Sequence, residues 1–201
     1  MTPSPTKGAT TREAILARSY AMACVSGLEG LTIGALAEQV GMSKSGVFAH
    51  FGSREDLQLA TLDVAGQRFL QQVLVPALQA PRGLARLRTI MRNWFEWVRH
   101  EEDGGCLFLA AASEFDDRPG VVRDRLLQHE TEWRGQLARA VQLAVELGEL
   151  EADTDAQQLA FEIYALALAV HHDGGLTGFD AAAERGMRAF ERLIRSYSPR
   201  P

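Results

Sequence analysis

The chain is poor in cysteine and lysine, carries no surplus of positive charge, and contains no long apolar run. Each shortage excludes something. The two cysteines, Cys24 and Cys106, lie far apart, with no Cys-x-x-Cys or Cys/His spacing. That excludes a disulfide scaffold and predicts two small buried hydrophobes in a reduced, cytoplasmic chain. The longest apolar stretch, near Leu159–Val170, is interrupted by Glu162 and is too short to span a bilayer. The opening MTPSPTKGATT has no apolar core, so no signal peptide is expected. Formal net charge is −5; residues 1–60 balance to zero and the rest of the chain carries the excess acidity. A globally basic balance would point to nucleic acid. Here any such case must rest on a local motif.

What is present is helical periodicity. Of 201 residues 46% are hydrophobic and 23% charged, and apolar positions recur in steps of three and four with no strong period-two pattern. The expected fold is all-α with about nine helices, in one large domain or two small ones. Thr10-Thr11-Arg12-Glu13 has the form of a capping box, opening a helix that closes at Gly27. Thr32 caps a short helix ending at Gly41, and Ser43 caps another through about Phe51. Ser53-Arg54-Glu55-Asp56 opens a longer fourth, which Pro76 ends or kinks.

Leu84, Leu87, Met91, Trp94 and Val98 mark one face of a helix that stops before Asp103-Gly104-Gly105, and the apolar segment CLFLAAASEF follows. Pro119 opens a long helix striped by Val122, Leu126, His129, Trp133, Leu137 and Val141, closed at Gly148. Asp153 or Thr154 caps the next helix, apolar nearly all round from Leu159 to Val170. It is expected to be buried on several sides and to end at His171-His172-Asp173-Gly174-Gly175. Ala183, Met187, Phe190, Ile194 and Tyr197 stripe the last helix.

The segment from Leu31 to Leu57, LTIGALAEQVGMSKSGVFAHFGSREDL, carries the chemistry. Two short helices are joined by Val40-Gly41-Met42-Ser43, with glycine where a tight turn calls for positive φ. Ile33, Leu36, Ala37 and Val40 give the first an inner face; Met42, Val47, Phe48 and Phe51 supply apolar contacts around the second. Ser43, Lys44, Ser45, Gly46 and His50 are small or polar and point elsewhere. A helix that enters the major groove needs short side chains for close approach and donors for phosphates and base edges. An ordinary helical hairpin with a polar outer face fits the same spacing.

Residue by residue, this segment resembles the DNA-binding domain of TetR-type transcriptional regulators. The matching positions are the capping Thr32, Leu36-Ala37, Gly41-Met42-Ser43, Phe48-Ala49-His50-Phe51 and Arg54-Glu55-Asp56-Leu57, with Ile15 and Gly27 in the preceding helix. Further on, Gly105-Cys106-Leu107-Phe108 and Gly148-Glu149-Leu150 followed by Asp153 and Asp155 resemble the family's ligand-binding domain. Three positions depart from the pattern: Phe48 stands where a tyrosine is usual, Ala49 where an aromatic or polar residue is common, and Ala23 where phenylalanine is common. Phe48 can still pack but cannot donate to phosphate.

The resemblance implies a helix-turn-helix domain over residues 10–56, with the motif at about 32–51, and an effector-binding and dimerisation domain over 57–201. It implies a homodimer, each subunit placing its third helix in a major groove of a palindromic operator, with half-site centres about one turn apart, roughly 34–36 Å, or a multiple of that. The DNA-contacting set would be Thr32, Ser43, Lys44, Ser45, Gly46, Phe48, His50 and Arg54. Thr32 and Arg54 would meet phosphates at helix starts, and Gly46 would permit close approach. Repression released by a small-molecule effector is the family's common mode. The last two helices would pair across the dimer, or else complete the core of each subunit.

Trp94, Phe95, Trp97, Phe108, Phe115, Trp133 and Tyr164 either line an effector cavity or form plain core, and His129 on an apolar stripe is a core histidine or a polar ligand contact. No enzyme constellation is evident. His171-His172-Asp173 lacks metal-ligand spacing and Cys106 has no evident base nearby, so neither cofactor nor metal is expected.

Overall fold

A computed structural model describes residues 7–100 and 106–199. Among the described residues there are nine helices and no strands. They are α1 (Lys7–Gly30), α2 (Ile33–Val40), α3 (Lys44–Phe51), α4 (Arg54–Phe69), α5 (Leu84–His100), α6 (Leu107–Phe115), α7 (Val121–Glu146), α8 (Ala156–Thr177) and α9 (Phe179–Ser196). Beyond Phe69, α4 runs on through a π-helical turn, Leu70–Leu74, into the short piece Val75–Ala77. Pro76 sits in the first turn of that piece, where a missing N–H is tolerated, so the helix passes through the proline and the π-helical turn lies just before it.

The helix ends show where sequence signals hold. Gly27 adopts φ 73°, ψ 171° and breaks α1, after which one helical turn completes the element. Gly148, at φ 70°, follows α7, and the N–H of Glu149 reaches back to Ala144 O at 3.0 Å. Other expectations need correction. Helix α1 already runs at Lys7, so Thr10 lies inside it instead of capping it. Asp155, not Asp153 or Thr154, caps α8: its Oδ1 accepts from the N–H groups of Gln157 and Gln158 at 2.9 and 3.0 Å. The same helix continues past His171-His172-Asp173 to Thr177, because two glycines without β-branched neighbours cost too little to stop it. The Asp103-Gly104-Gly105 stop lies outside the described residues.

The chain packs as two compact units, residues 1–67 with 102–127, and residues 68–101 with 128–201. The first holds α1–α3, α6 and most of α4. Its core includes Ile15, Leu31, Leu36, Val47, Phe51 and Leu57, all buried, with Met22, Ile33, Val40 and Met42 packed against them. Three buried polar side chains find partners there: Ser19 Oγ and Thr61 Oγ1 lie 2.9 Å apart, and Gln58 Nε2 donates to Leu28 O at 2.7 Å.

In the second unit α8 and α9 pack along one another and against α5. Gly186 makes this approach possible: a Cβ there would overlap Val170 Cγ2 and come within 3.1 Å of the Phe95 ring. The apolar line of α9 that is fully buried is Ala182, Gly186, Phe190 and Ile194, with Ala183 and Met187 half-buried at its side. Helix α8 is not buried all round. Phe161, Ala165, Leu168, His172 and Leu176 form an exposed stripe, with Phe161 56% and Leu176 73% exposed. Their steps of four and three put them on one helical face.

Candidate nucleic-acid interface and aromatic core

The reading element of the first unit begins at Thr32. Extended at φ −124°, ψ 150°, it turns its Oγ1 to accept the Ala35 N–H at 3.1 Å. Gly41 ends α2 in the left-handed region at φ 65°, a conformation that would strain any residue with a Cβ. Met42 N–H donates to Ala37 O at 3.0 Å, fixing the turn. Ser43 then caps α3, its Oγ accepting from the Gly46 N–H at 3.1 Å and lying 3.1 Å from Ser45 Oγ. Each cap satisfies an N–H that the helix leaves without an internal partner, a contribution of about 1 kcal/mol.

Val47 and Phe51 anchor α3 to the core, and Lys44, Ser45, Phe48 and Ala49 face outward. Gly46 and His50 are half-buried at the edges. Phe48 is therefore not one of the packing residues its hydrophobicity suggested: it is 53% exposed, because the helical register that buries Val47 and Phe51 turns it to solvent. Gly46 has an internal reason as well as an external one. A Cβ there would come within 3.2 Å of Ser43 Oγ and 3.3 Å of Met42 Cε, crowding the cap.

Two cations in this region behave differently. Lys44 is exposed, and its stem crosses α2 at Gly34, where an added Cβ would lie 3.2 Å from Lys44 Cε and 3.5 Å from Nζ. Gly34 carries no signal in the sequence beyond its absence of a side chain. Arg54 donates through Nε to Leu31 O at 3.0 Å and through Nη2 to Glu29 O, and pairs with the Glu29 carboxylate at 3.6 Å. Its guanidinium ties the start of α4 to the junction of α1 and α2. A second clamp on that junction comes from α6: Glu114 Oε2 accepts from the N–H groups of Leu28 and Glu29 at 2.9 and 3.2 Å. Sequence patterns do not reveal this contact.

The aromatic residues divide. Phe108, half-buried, and Phe115, buried beneath the Arg118 guanidinium at 5.9 Å, belong to the first unit. Trp94, Phe95, Trp97, His129, Trp133 and Tyr164 belong to the second, His129 and Trp133 half-buried and the others buried. The cluster there centres on Phe69, a residue the sequence patterns did not single out. Its ring meets Trp94, Trp97 and Trp133 edge to face at centroid distances of 6.2, 5.7 and 4.8 Å. Trp94 lies 4.9 Å from Trp133 and 5.9 Å from Tyr164.

Polar groups edge this cluster. Tyr164 OH donates to Glu130 Oε1 at 2.8 Å, and the Arg134 guanidinium lies 4.2 Å over the Tyr164 ring and 3.3 Å from Glu130 Oε2. Burial pushes the Tyr164 phenol well above its ordinary pKa, with the Glu130 charge acting in the same direction. The Nε1 atoms of Trp94, Trp97 and Trp133 and the Nε of Arg134 are buried without a hydrogen-bond partner among the described residues. Four donors without acceptors in one cluster is unusual for a finished core. Among the described residues no group of His, Cys, Asp and Glu is arranged to hold a metal, and no helix is long and apolar enough to cross a membrane.

Comparison with known proteins fits this geometry. Residues 15–61 match the family described as bacterial regulatory proteins, tetR family. Residues 83–190 match the tetracyclin repressor-like C-terminal domain. No curated protein matches the chain. Among solved structures, a TetR transcriptional regulator from Chloroflexus aurantiacus aligns with a TM-score of 0.84 at 26% identity, covering 96% of this chain and 98% of that one. A regulator from Saccharomonospora viridis in complex with choline aligns at 0.81 and 18% identity, covering 95% and 99%. AibR, solved with isovaleryl coenzyme A and operator DNA, aligns at 0.70 and 22% identity, covering 94% and 98%. The last two likenesses establish the fold alone. The C-terminal match spans more than half of the chain, and the N-terminal match covers the helix-turn-helix; this protein belongs to the TetR family of bacterial transcriptional regulators.

Proposed function

We propose that this regulator is a cytoplasmic repressor, binding a palindromic operator as a homodimer and released by a small-molecule effector. The observation that carries the DNA-binding half is the outer face of α3. It offers Ser45, Lys44, Phe48 and Ala49 to solvent from a helix capped and anchored on its other side. Ser43, Lys44, Ser45 and His50 supply donors, Thr32 meets phosphate at the start of α2, and Gly46 lets the helix approach closely. Arg54 acts chiefly by holding the α1–α2 junction, with phosphate contact as a second task.

Dimerisation runs through α8 and α9. The exposed stripe from Phe161 to Leu176 supplies the apolar surface, and the outward residues of α9, among them Glu184, Arg188 and Arg192, supply its polar rim. The effector enters the aromatic core of the second unit, against Trp94, Phe95, Trp97, His129, Trp133 and Tyr164. The indole N–H groups without acceptors favour an occupant with oxygen acceptors on an apolar frame. Structural neighbours holding choline and an acyl coenzyme A support a ligand-responsive role. Release follows if the effector favours a conformation in which α4 spaces the two reading heads wrongly for the operator.

Selection of duplexes from a random library by the full-length protein, followed by gel shift and footprinting, tests this reading. A palindromic site protected by two subunits is the expected result. Failure to enrich any duplex sinks the function, and an asymmetric site bound by one subunit sinks the dimer.

A further inference from the structure

The outward face of α3 contains two side chains that can form no hydrogen bond. Phe48 and Ala49 are both exposed, and the helix spacing sets Phe48 four residues from Lys44 and three from Ser45 on that face. A tyrosine at residue 48 would offer a hydroxyl to a phosphate oxygen or base edge; a phenyl ring has neither donor nor acceptor. Phe48 is also the more conspicuous for standing half out of the core, since Val47 and Phe51 already fill the packing positions of this short helix. A ring left in water at that point gains by being covered, and the family membership identifies what covers it as duplex DNA.

On the edges of the major groove, polar groups present donors and acceptors, and the one apolar feature is the thymine C5-methyl. We propose that Phe48, with Ala49 beside it, reads the operator by packing on thymine methyl groups, so that each half-site carries thymine at the bases facing these residues. Lys44 and Ser45 hold α3 in the groove and Phe48 sets the sequence preference. The inference rests on the reading of α3 as the groove-entering helix, and it adds which bases are read and through which atoms.

Uracil differs from thymine by that methyl alone and keeps the same pairing edge. An operator obtained by selection is therefore resynthesised with deoxyuridine at each thymine in turn, and the affinity of the full-length protein is measured. Removal of one buried methyl is expected to weaken binding about fourfold, and removal at the symmetric position in both half-sites about fifteenfold. Phe48→Ser, an exposed substitution that leaves the core of the first unit intact, should bind the thymine operator more weakly and lose this sensitivity to uracil. Unchanged affinity of the unsubstituted protein for every uracil operator would overturn the inference while leaving the operator reading standing. So would a Phe48→Ser protein as sensitive to uracil as its parent. Enrichment of no duplex at all overturns the operator reading and this inference together.

Discussion

Glu114 and Gly27 are fitted to one another across the first unit. Gly27 breaks α1 at φ 73°, and a Cβ at that position would overlap Glu114 Oε1. The same carboxylate accepts from the two backbone N–H groups that the break exposes, at Leu28 and Glu29. The glycine thus makes the turn and the room, and the carboxylate fills both. Arg54 and Gln58 bind the carbonyls of the same junction, so the approach of α2 is fixed from α4 as well as from α6.

Gly27→Ala should therefore destabilise the protein by about 2 kcal/mol, from backbone strain at φ 73°, ψ 171°, a region nearly closed to residues with a Cβ, before any steric overlap is counted. Thermal denaturation should show Tm lower by about 4–8 °C. Glu114→Ala, which strips charged acceptors from two backbone donors, should cost about 1.5–3 kcal/mol. An unchanged Tm in either variant would show that the junction is held without this pair.

Lys44 is the exposed cation of α3 and the only lysine outside the N-terminal segment. Lys44→Ala should weaken operator binding and flatten its dependence on salt by about 0.9 for each phosphate that is no longer neutralised, or about 1.8 for a dimer. The check is the slope of log affinity against log salt concentration. Weaker binding with an unchanged slope would assign Lys44 to a base edge instead.

The exposed stripe of α8 predicts its own loss-of-function variant. Leu168→Asp sets a charge at the centre of the line from Phe161 to Leu176, without touching the packing of α8 on α9 through Val170. Light scattering at micromolar concentration should report a dimer for the parent and a monomer for the variant, and operator affinity should fall with it. A dimeric Leu168→Asp protein would move the subunit interface elsewhere.

Stability should also fall in acid. Burial lowers the pKa of His171 below its ordinary value of 6.5, and the charge of neighbouring His172 lowers it further. The folded chain therefore binds this proton less readily than the unfolded chain. The contribution is complete above pH about 6.5 and is lost as pH falls through the lowered folded value. Melting should be earlier at pH 5.5 than at pH 7.5, and His171→Gln should narrow the difference. An identical acid dependence in the variant would trace the loss to other groups.

What was readable in the sequence was short in range. Thr32 and Ser43 cap helices three residues away, Gly27, Gly41 and Gly148 supply positive φ at their own positions, and the apolar steps of three and four report one helix face at a time. Such signals depend on neighbours within one turn, so they survive in a linear pattern. They went astray where several residues competed for one role, as when Asp155 took the cap from Asp153 and Thr154.

The sequence by itself determined the all-helical class, the helix-turn-helix from Thr32 to Phe51 and, through the residues in it, the family. Tertiary structure alone decided which apolar residues are spent on the core and which are left over. Phe48 and Phe51 are alike on paper, yet one turns outward; α8 is apolar nearly all round, yet one side of it stays bare. The partners of Arg54, the clamp of Glu114 and the gathering of three tryptophans about Phe69 also arise only on folding. Each depends on contacts between residues distant in the chain, and a local pattern records what a residue can bury or bind without recording what will meet it.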